Sequence, residues 1–333
     1  MPKRARNGKT KTTNRKRKNN ALTMSNPSFL NNSNRSIPRP PRRNAALRSR
    51  SDKERLCQLV CSQVDPFCAA ACGAKRVDQS QTPSIALSFR ANVSVQQAAS
   101  TSTGTAATQF KACLAELFRT TSTTAGNEIT SFSAWQAVPG YNATTFSGYR
   151  ITSWGVHMYT VSTPSTADGV TVLLEHMGAP PGTPDMSSTL YTKAQRDTRY
   201  NSEFTWTAKA EGDEVKIYKD ISSTDPGGWP SVTCGGHWMT AVDGETVACV
   251  EAVLNCEMHV NAEQIWTGAM GKPSQSSEAA ETLVANVNRD IPSMTVGKPE
   301  QHSAIVKQTA WDHIERFIDA AAPYAIDALL ALL

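Results

Sequence analysis

The chain has 333 residues, enough to bury one large core or two small ones, and its 39% hydrophobic content is ordinary for a globular protein. Its charge is unevenly spread: residues 1–50 hold 15 Lys and Arg and no acid, so residues 51–333 keep 34 − 15 = 19 bases against 29 acids, a net of −10 beneath an overall +5. No apolar run near Met1 resembles a secretory signal, so a disulfide scaffold is not implied by the eight cysteines and the glycosylation-type triplets at Asn92 and Asn142 are expected to be unmodified coincidences.

Residues 1–52 read as a basic arm, with Phe29 its only aromatic. Too little apolar surface and too many like charges predict an arm that is disordered when alone. Its cations are Lys3, Arg4, Arg6, Lys9, Lys11, Arg15, Lys16, Arg17, Lys18, Arg35, Arg39, Arg42, Arg43, Arg48 and Arg50. Without interleaved aromatics they suit phosphate charge and not base sequence, which makes nucleic acid the expected partner ahead of an import signal or a solubilising tail.

Residues 53–80 form a connector carrying Cys57, Cys61, Cys68 and Cys72. Each Cys-x-x-x-Cys pair suits one face of a helical turn, and Pro66 between them predicts a helix, a turn and a second helix. Zinc sites favour tighter spacings with histidine, and none lies nearby in sequence, so the thiols are expected to be small packed side chains and no metal ligand set is assigned.

From 81 to 269 the pattern is β. Ile85, Leu87 and Phe89 alternate; Tyr149, Ile151 and Ser153 oppose Arg150, Thr152 and Trp154; a turn at Asp168-Gly169 opens the next strand; and the segments Arg199–Ala210 and Glu214–Asp220 suggest a hairpin. The last strand is the clearest, with Ala248, Val250, Ala252, Leu254, Cys256, Met258 and Val260 on one face and Glu251, Asn255, Glu257 and His259 on the other. Only Ala107–Thr121 reads as helix, with a strand as its alternative. About eight short strands predict a mainly β fold, a single eight-stranded antiparallel β-sandwich or jelly roll. No phosphate loop, nucleophile elbow or metal-spaced histidine pair appears, and His237 in "CGGHWM" reads as a structural strand residue. No cofactor is expected, although carboxylates meeting across a subunit boundary could hold calcium.

Residues 270–333 turn helical. Ser277 is a plausible N-cap for a short helix stopped by Pro292. From Ser303, Ile305, Val306, Ala310, Ile314, Phe317, Ile318 and Ala321 follow amphipathic spacing until Pro323. The following apolar stretch is too short to span a bilayer, so Trp311, Ile314, Phe317 and Ile318 either meet a membrane interface or pack beneath the β domain.

Four segments, in order, resemble the capsid proteins of nodaviruses and their relatives among small icosahedral RNA viruses. They are the acid-free arm; "CSQVDPFCAAACGAKRVD"; "YRITSWGVHMYTVSTPSTADGVTVLL"; and "EAAETLVANVNRDIP" followed by "AWDHIERFI". The resemblance implies a jelly-roll shell domain, self-assembly with other copies into an icosahedral shell of T=3 type, and single-stranded genomic RNA bound by the arm. It also implies C-terminal helices on the inner face, one able to meet a host membrane during entry, and a place in the virion after assembly in the host cytoplasm. Nodavirus capsids cut themselves at an Asn-Ala bond before the Trp-bearing helix with help from an upstream Asp. Asp65 is the residue that loosely matches, but Lys307, Gln308, Thr309 and Ala310 precede Trp311, so no cleavage is expected there and Asp65 is expected to be structural. The rival classes are a non-assembling nucleic-acid-binding protein with a β-sandwich, or a peripheral membrane protein; an enzyme is not expected.

Overall fold

The computed structural model describes residues 50–72, 74–76, 84–96, 104–125, 128–161, 167–184, 186, 192–197, 203–210, 212–240, 244–261, 277–321, 325, 326 and 329. In chain order these contain α1 (Arg50–Val64), β1 (Ile85–Gln96), β2 (Gly104–Phe110), β3 (Phe118–Ala125), β4 (Glu128–Phe132), β5 (Phe146–Thr160), β6 (Ala167–His176) and β7 (Thr192–Asp197). Then follow β8 (Glu203–Thr207), β9 (Lys219–Asp220), β10 (Ser231–Thr240), β11 (Thr246–Val260), α2 (Glu278–Asp290), β12 (Met294–Val296) and α3 (Pro299–Ala320).

The strands make two antiparallel sheets, ordered β1-β11-β5-β8-β12, with β9 on the far end of β5, and β4-β3-β2-β10-β6-β7. With β3, β4, β9 and β12 set aside as additions, the pair β1-β11-β5-β8 and β2-β10-β6-β7 is the eight-stranded jelly roll expected from the sequence. Between the sheets lie Trp154, Trp206, Trp238, Tyr149, Phe110, Phe204 and Met158, with Trp154 and Trp206 edge to face at 4.9 Å. The Trp206 indole N–H reaches out of this core to Glu175 Oε2 at 2.7 Å, so its burial strands no donor.

In β11 the alternation holds from Ala248 to Met258, each apolar residue entering the inter-sheet core. In β5 it does not. Asn255 pairs with Ser153 and Cys256 with Ile151, leaving Thr152 as the extra residue of a β-bulge. Tyr149 and Ile151 before the bulge and Trp154, Val156 and Met158 after it therefore all face the core, which corrects the placement of Trp154 opposite Tyr149.

Three other expectations change. Ala107–Thr121 is no helix: it is the end of β2, an irregular corner that plugs Leu114 and Leu117 into the core, and the start of β3. Asp168 and Gly169 lie within β6, where Gly169 pairs with Trp238, so no turn opens the strand there. Glu214–Lys216 is a single 3-10 turn, and β9 pairs with β5 at Gly148 and Tyr149 instead of forming a hairpin with β8.

The outer face of the first sheet is covered by the three helices. They share a second core of Leu56, Cys57, Val60, Cys61, Val64, Ala280, Leu283, Val287, Val306, Ala310 and Ile314, joined by Ile326 and Leu329. Ser277 caps α2 by accepting the Ala280 N–H at 3.3 Å, as expected. The predicted second helix of the connector is only the 3-10 turn Ala69–Ala71. α1 begins at Arg50, inside the segment assigned to the arm.

Candidate functional site: the helical layer and the polar seam beneath it

Burying a sheet face under helices normally needs apolar side chains, yet here the facing strand positions are polar and each must find a partner. Arg150 and Glu257, opposite each other on β5 and β11, form an ion pair with both side chains 1% exposed. The Arg150 guanidinium also lies 4.7 Å from the centre of the Tyr218 ring, which stacks on His259. Glu257 accepts from the Ser84 hydroxyl at 3.4 Å, and the Lys75 ammonium donates to the Ser84 carbonyl at 2.7 Å, drawing the connector onto the sheet. Burial holds the Lys75 and His259 pKa values below their ordinary ranges; the Arg150 charge adds to the depression of both, and Glu257 opposes it.

The β5 bulge supplies the next contacts. Asn255 donates through Nδ2 to the Pro66 carbonyl and the Ser153 hydroxyl, both at 3.1 Å, while Thr152 donates to the Asn255 carbonyl at 3.0 Å. The turn after α1 thereby sits flat on the strand. A Cβ on Gly155 would meet the Trp206 carbonyl at 2.5 Å and Pro66 Cγ at 2.9 Å, so this approach requires glycine.

α3 is moored at its start by His302, which is fully buried between the hydroxyls of Thr207 at 3.3 Å and Thr295 at 2.8 Å. Burial alone pushes its pKa down to about 4. Farther along, His313 meets Asp290 of α2 at 2.9 Å and Lys53 of α1 meets Glu315 at 3.3 Å.

The residues singled out from sequence fall as follows. Ile314 is buried in the helical core, and Trp311, Phe317 and Ile318 pack half-buried against it. Ile305, counted with the apolar stripe, is instead 39% exposed, because the buried line runs Val306, Ala310, Ile314. Of the fifteen arm cations only Arg50 is among the described residues; it is exposed and pairs with Glu54 at 3.1 Å. The other fourteen, Lys3 to Arg48, lie outside the described residues. Cys57 and Cys61 are buried, Cys68 is half-buried and Cys72 exposed, all as free thiols. Among the described residues no three His, Cys, Asp or Glu side chains gather as metal ligands.

Asp65 is 1% exposed and ends α1 as a turn former, its Oδ1 accepting the Phe67 N–H at 3.0 Å. Burial raises its pKa, offset in part by the Ser303 hydroxyl. Ser303 of α3 is thus the helix residue beside it.

Sequence reasoning missed Arg150, Glu257, Asn255 and His302. For Arg150, Asn255 and Glu257 the available signal was a charge or amide within a 15-residue strand; His302, on α3, had none.

No protein-family model matches this chain, and no curated protein matches it. Solved structures show similarity over most of their length. The chain of the T13 IBDV viral particle has 9% identity and a TM-score of 0.48, covering 85% of this chain and 100% of that one. The infectious bursal disease virus VP2 subviral particle has 8% identity and a TM-score of 0.49, covering 75% and 98%. The Infectious Bursal Virus derived T=1 particle has 9% identity and a TM-score of 0.48, covering 78% and 97%.

Proposed function

We propose that this chain is the coat protein of a small icosahedral RNA virus, of the nodavirus-like kind that its sequence resembles, and that it assembles into a shell around single-stranded RNA. The observation that carries the proposal is the charge segregation: fifteen cations without an acid lead directly into α1, while the remaining chain has a net charge of −10. A polyanion enclosed by many copies neutralises the leader and leaves the acidic bodies outward of it.

Two parts of the proposal follow from α3. Its apolar side is spent on the helical core, so membrane action during entry requires the helix to leave that core first. Among the described residues no helix is long and apolar enough to cross a membrane. Maturation by self-cleavage before Trp311 is not part of the proposal, because the residues that precede it, Lys307, Gln308, Thr309 and Ala310, include no Asn-Ala bond.

Electron microscopy and the ratio of absorbance at 260 and 280 nm, taken on the full chain and on a chain lacking residues 1–49, test the proposal. Closed shells rich in RNA are expected from the first and shells poor in RNA, or none, from the second. A full chain that stays a small species with RNA present identifies a non-assembling nucleic-acid-binding protein instead. Liposome binding that disappears with Ser303–Leu333 while no shells form identifies a peripheral membrane protein.

A further inference from the structure

α1 brings two thiols together on the side that meets α3. Cys57 and Cys61 stand one helical turn apart with their sulfurs 3.8 Å from each other, and Cys57 Sγ is also 3.8 Å from the Lys307 carbonyl. Both side chains are buried, yet both line a cavity of about 650 Å³ between α1, the turn after it and the first half of α3, which gives a small ion a path to them. Lys307 lines the same cavity, and its charge acts on the Cys57 sulfur.

We propose that Cys57 and Cys61 chelate one monovalent copper ion as a two-coordinate bis-thiolate. Two sulfurs bound to one ion at about 2.3 Å, the length of a zinc–thiolate bond, lie at most about 4.6 Å apart, and the observed spacing falls inside that limit. Thiolates select soft ions, copper(I) and zinc among them. Zinc in a closed site takes four ligands; here Cys68 lines the same cavity, but among the described residues no third His, Cys, Asp or Glu gathers with the pair. Copper(I) is satisfied by two. A disulfide is the other product open to neighbouring thiols, and the helix opposes it. Cβ atoms four residues apart on a helix stand about 5–6 Å from each other, beyond the roughly 3.5–4.5 Å that a disulfide needs. Copper binding exchanges two S–H bonds for two S–Cu bonds, releases both protons to solvent and transfers no electron. The product carries one net negative charge, which the Lys307 ammonium offsets.

Anaerobic titration of the reduced full chain with copper(I), in competition with the chromogenic chelator bicinchoninate, is the test. One ion is expected to be withdrawn from the chelator per chain, with two sulfur neighbours and no nitrogen or oxygen in copper K-edge absorption, and an equal amount of zinc is expected not to displace it. The double variant Cys57→Ala, Cys61→Ala keeps small apolar side chains in the helical core and is expected to lose about a hundredfold or more in affinity, whereas Cys72→Ala loses nothing. Lys307→Gln, at an exposed position, is expected to weaken binding by about tenfold. Should the double variant fail to fold, a second measurement on the wild-type chain decides: one equivalent of copper is expected to slow maleimide alkylation of Cys57 and Cys61, followed by peptide mass spectrometry, and to leave exposed Cys72 unchanged. Copper held by Cys72 in place of the pair, full affinity in the folded double variant, a third ligand in the absorption spectrum, or displacement by zinc overturns the proposal.

Discussion

Arg150 and Glu257 are charged side chains placed where a helix layer covers them, and their partnership is worth most as the absence of an orphan. Removing one member strands the other, so Glu257→Gln is expected to cost roughly 3–5 kcal/mol in urea unfolding, while Arg150→Met with Glu257→Met recovers most of that loss. Protons act on the neighbouring residues with a definite sign. His176, bonded to Thr233 at 2.8 Å, and His302 both have pKa values pushed down to about 4 by burial, against about 6.5 in the unfolded chain. The unfolded state therefore binds more protons, and stability present above about pH 6.5 is lost progressively as pH falls towards 4, by roughly 3 kcal/mol for each histidine. Asp65 opposes this, since its raised pKa makes the folded state the better proton acceptor and its contribution is lost as pH rises. Unfolding midpoints from pH 8 to 4 are expected to fall, and to fall less steeply in His302→Gln. The sequence set Arg150 and Glu257 opposite the apolar positions of their strands and offered the C-terminal helix as packing beneath the β domain; it held no sign that α1 joins that layer over the same face, because the covering helices come from distant parts of the chain.

Among the elements, α3 separates what periodicity can and cannot place. Its amphipathic character was legible, and Val306, Ala310 and Ile314 of the expected stripe form the buried line; only Ile305 falls outside it, because it is adjacent to Val306 and packing in the helical core takes one of the two. Ile314→Ala is accordingly expected to cost about 2–5 kcal/mol and Ile305→Ala within about 0.5 kcal/mol of nothing, compared by chemical denaturation. The bulge in β5 was illegible for a related reason. A single inserted residue leaves composition untouched and reverses every later face, so Trp154 could be assigned only once the pairing with Asn255 was known. The close approach at Gly155 depends on the same bulge, and Gly155→Ala is expected to lower stability by about 1–3 kcal/mol or more while loosening the turn at Pro66, visible as faster amide exchange at Phe67 and Cys68.

For the molecule as a whole, the sandwich or jelly roll was legible because about eight short strand-like runs separated by turn formers fill 81–269, and β11 alone displays the core face over six positions. The expected arm lies outside the described residues, so its role is measured through charge. Binding of single-stranded RNA by the full chain is expected to weaken with salt with a slope of about −10 in log-log form, near 0.7 for each of the fourteen cations from Lys3 to Arg48, and to lose most of that slope without residues 1–49. Finally, β1 pairs along its length with β11, Ile85 against Met258 through Val95 against Ala248. During translation the first strand of the sandwich thus waits for a mate made some 160 residues later, and α1 waits longer still for α3. At about 5–20 residues per second the cationic leader is outside the ribosome for about 10–40 s before the body that will carry it has closed. Under the function proposed above, a nascent chain would engage a transcript first and finish folding on it afterwards, which would tie the choice of RNA to the site of synthesis.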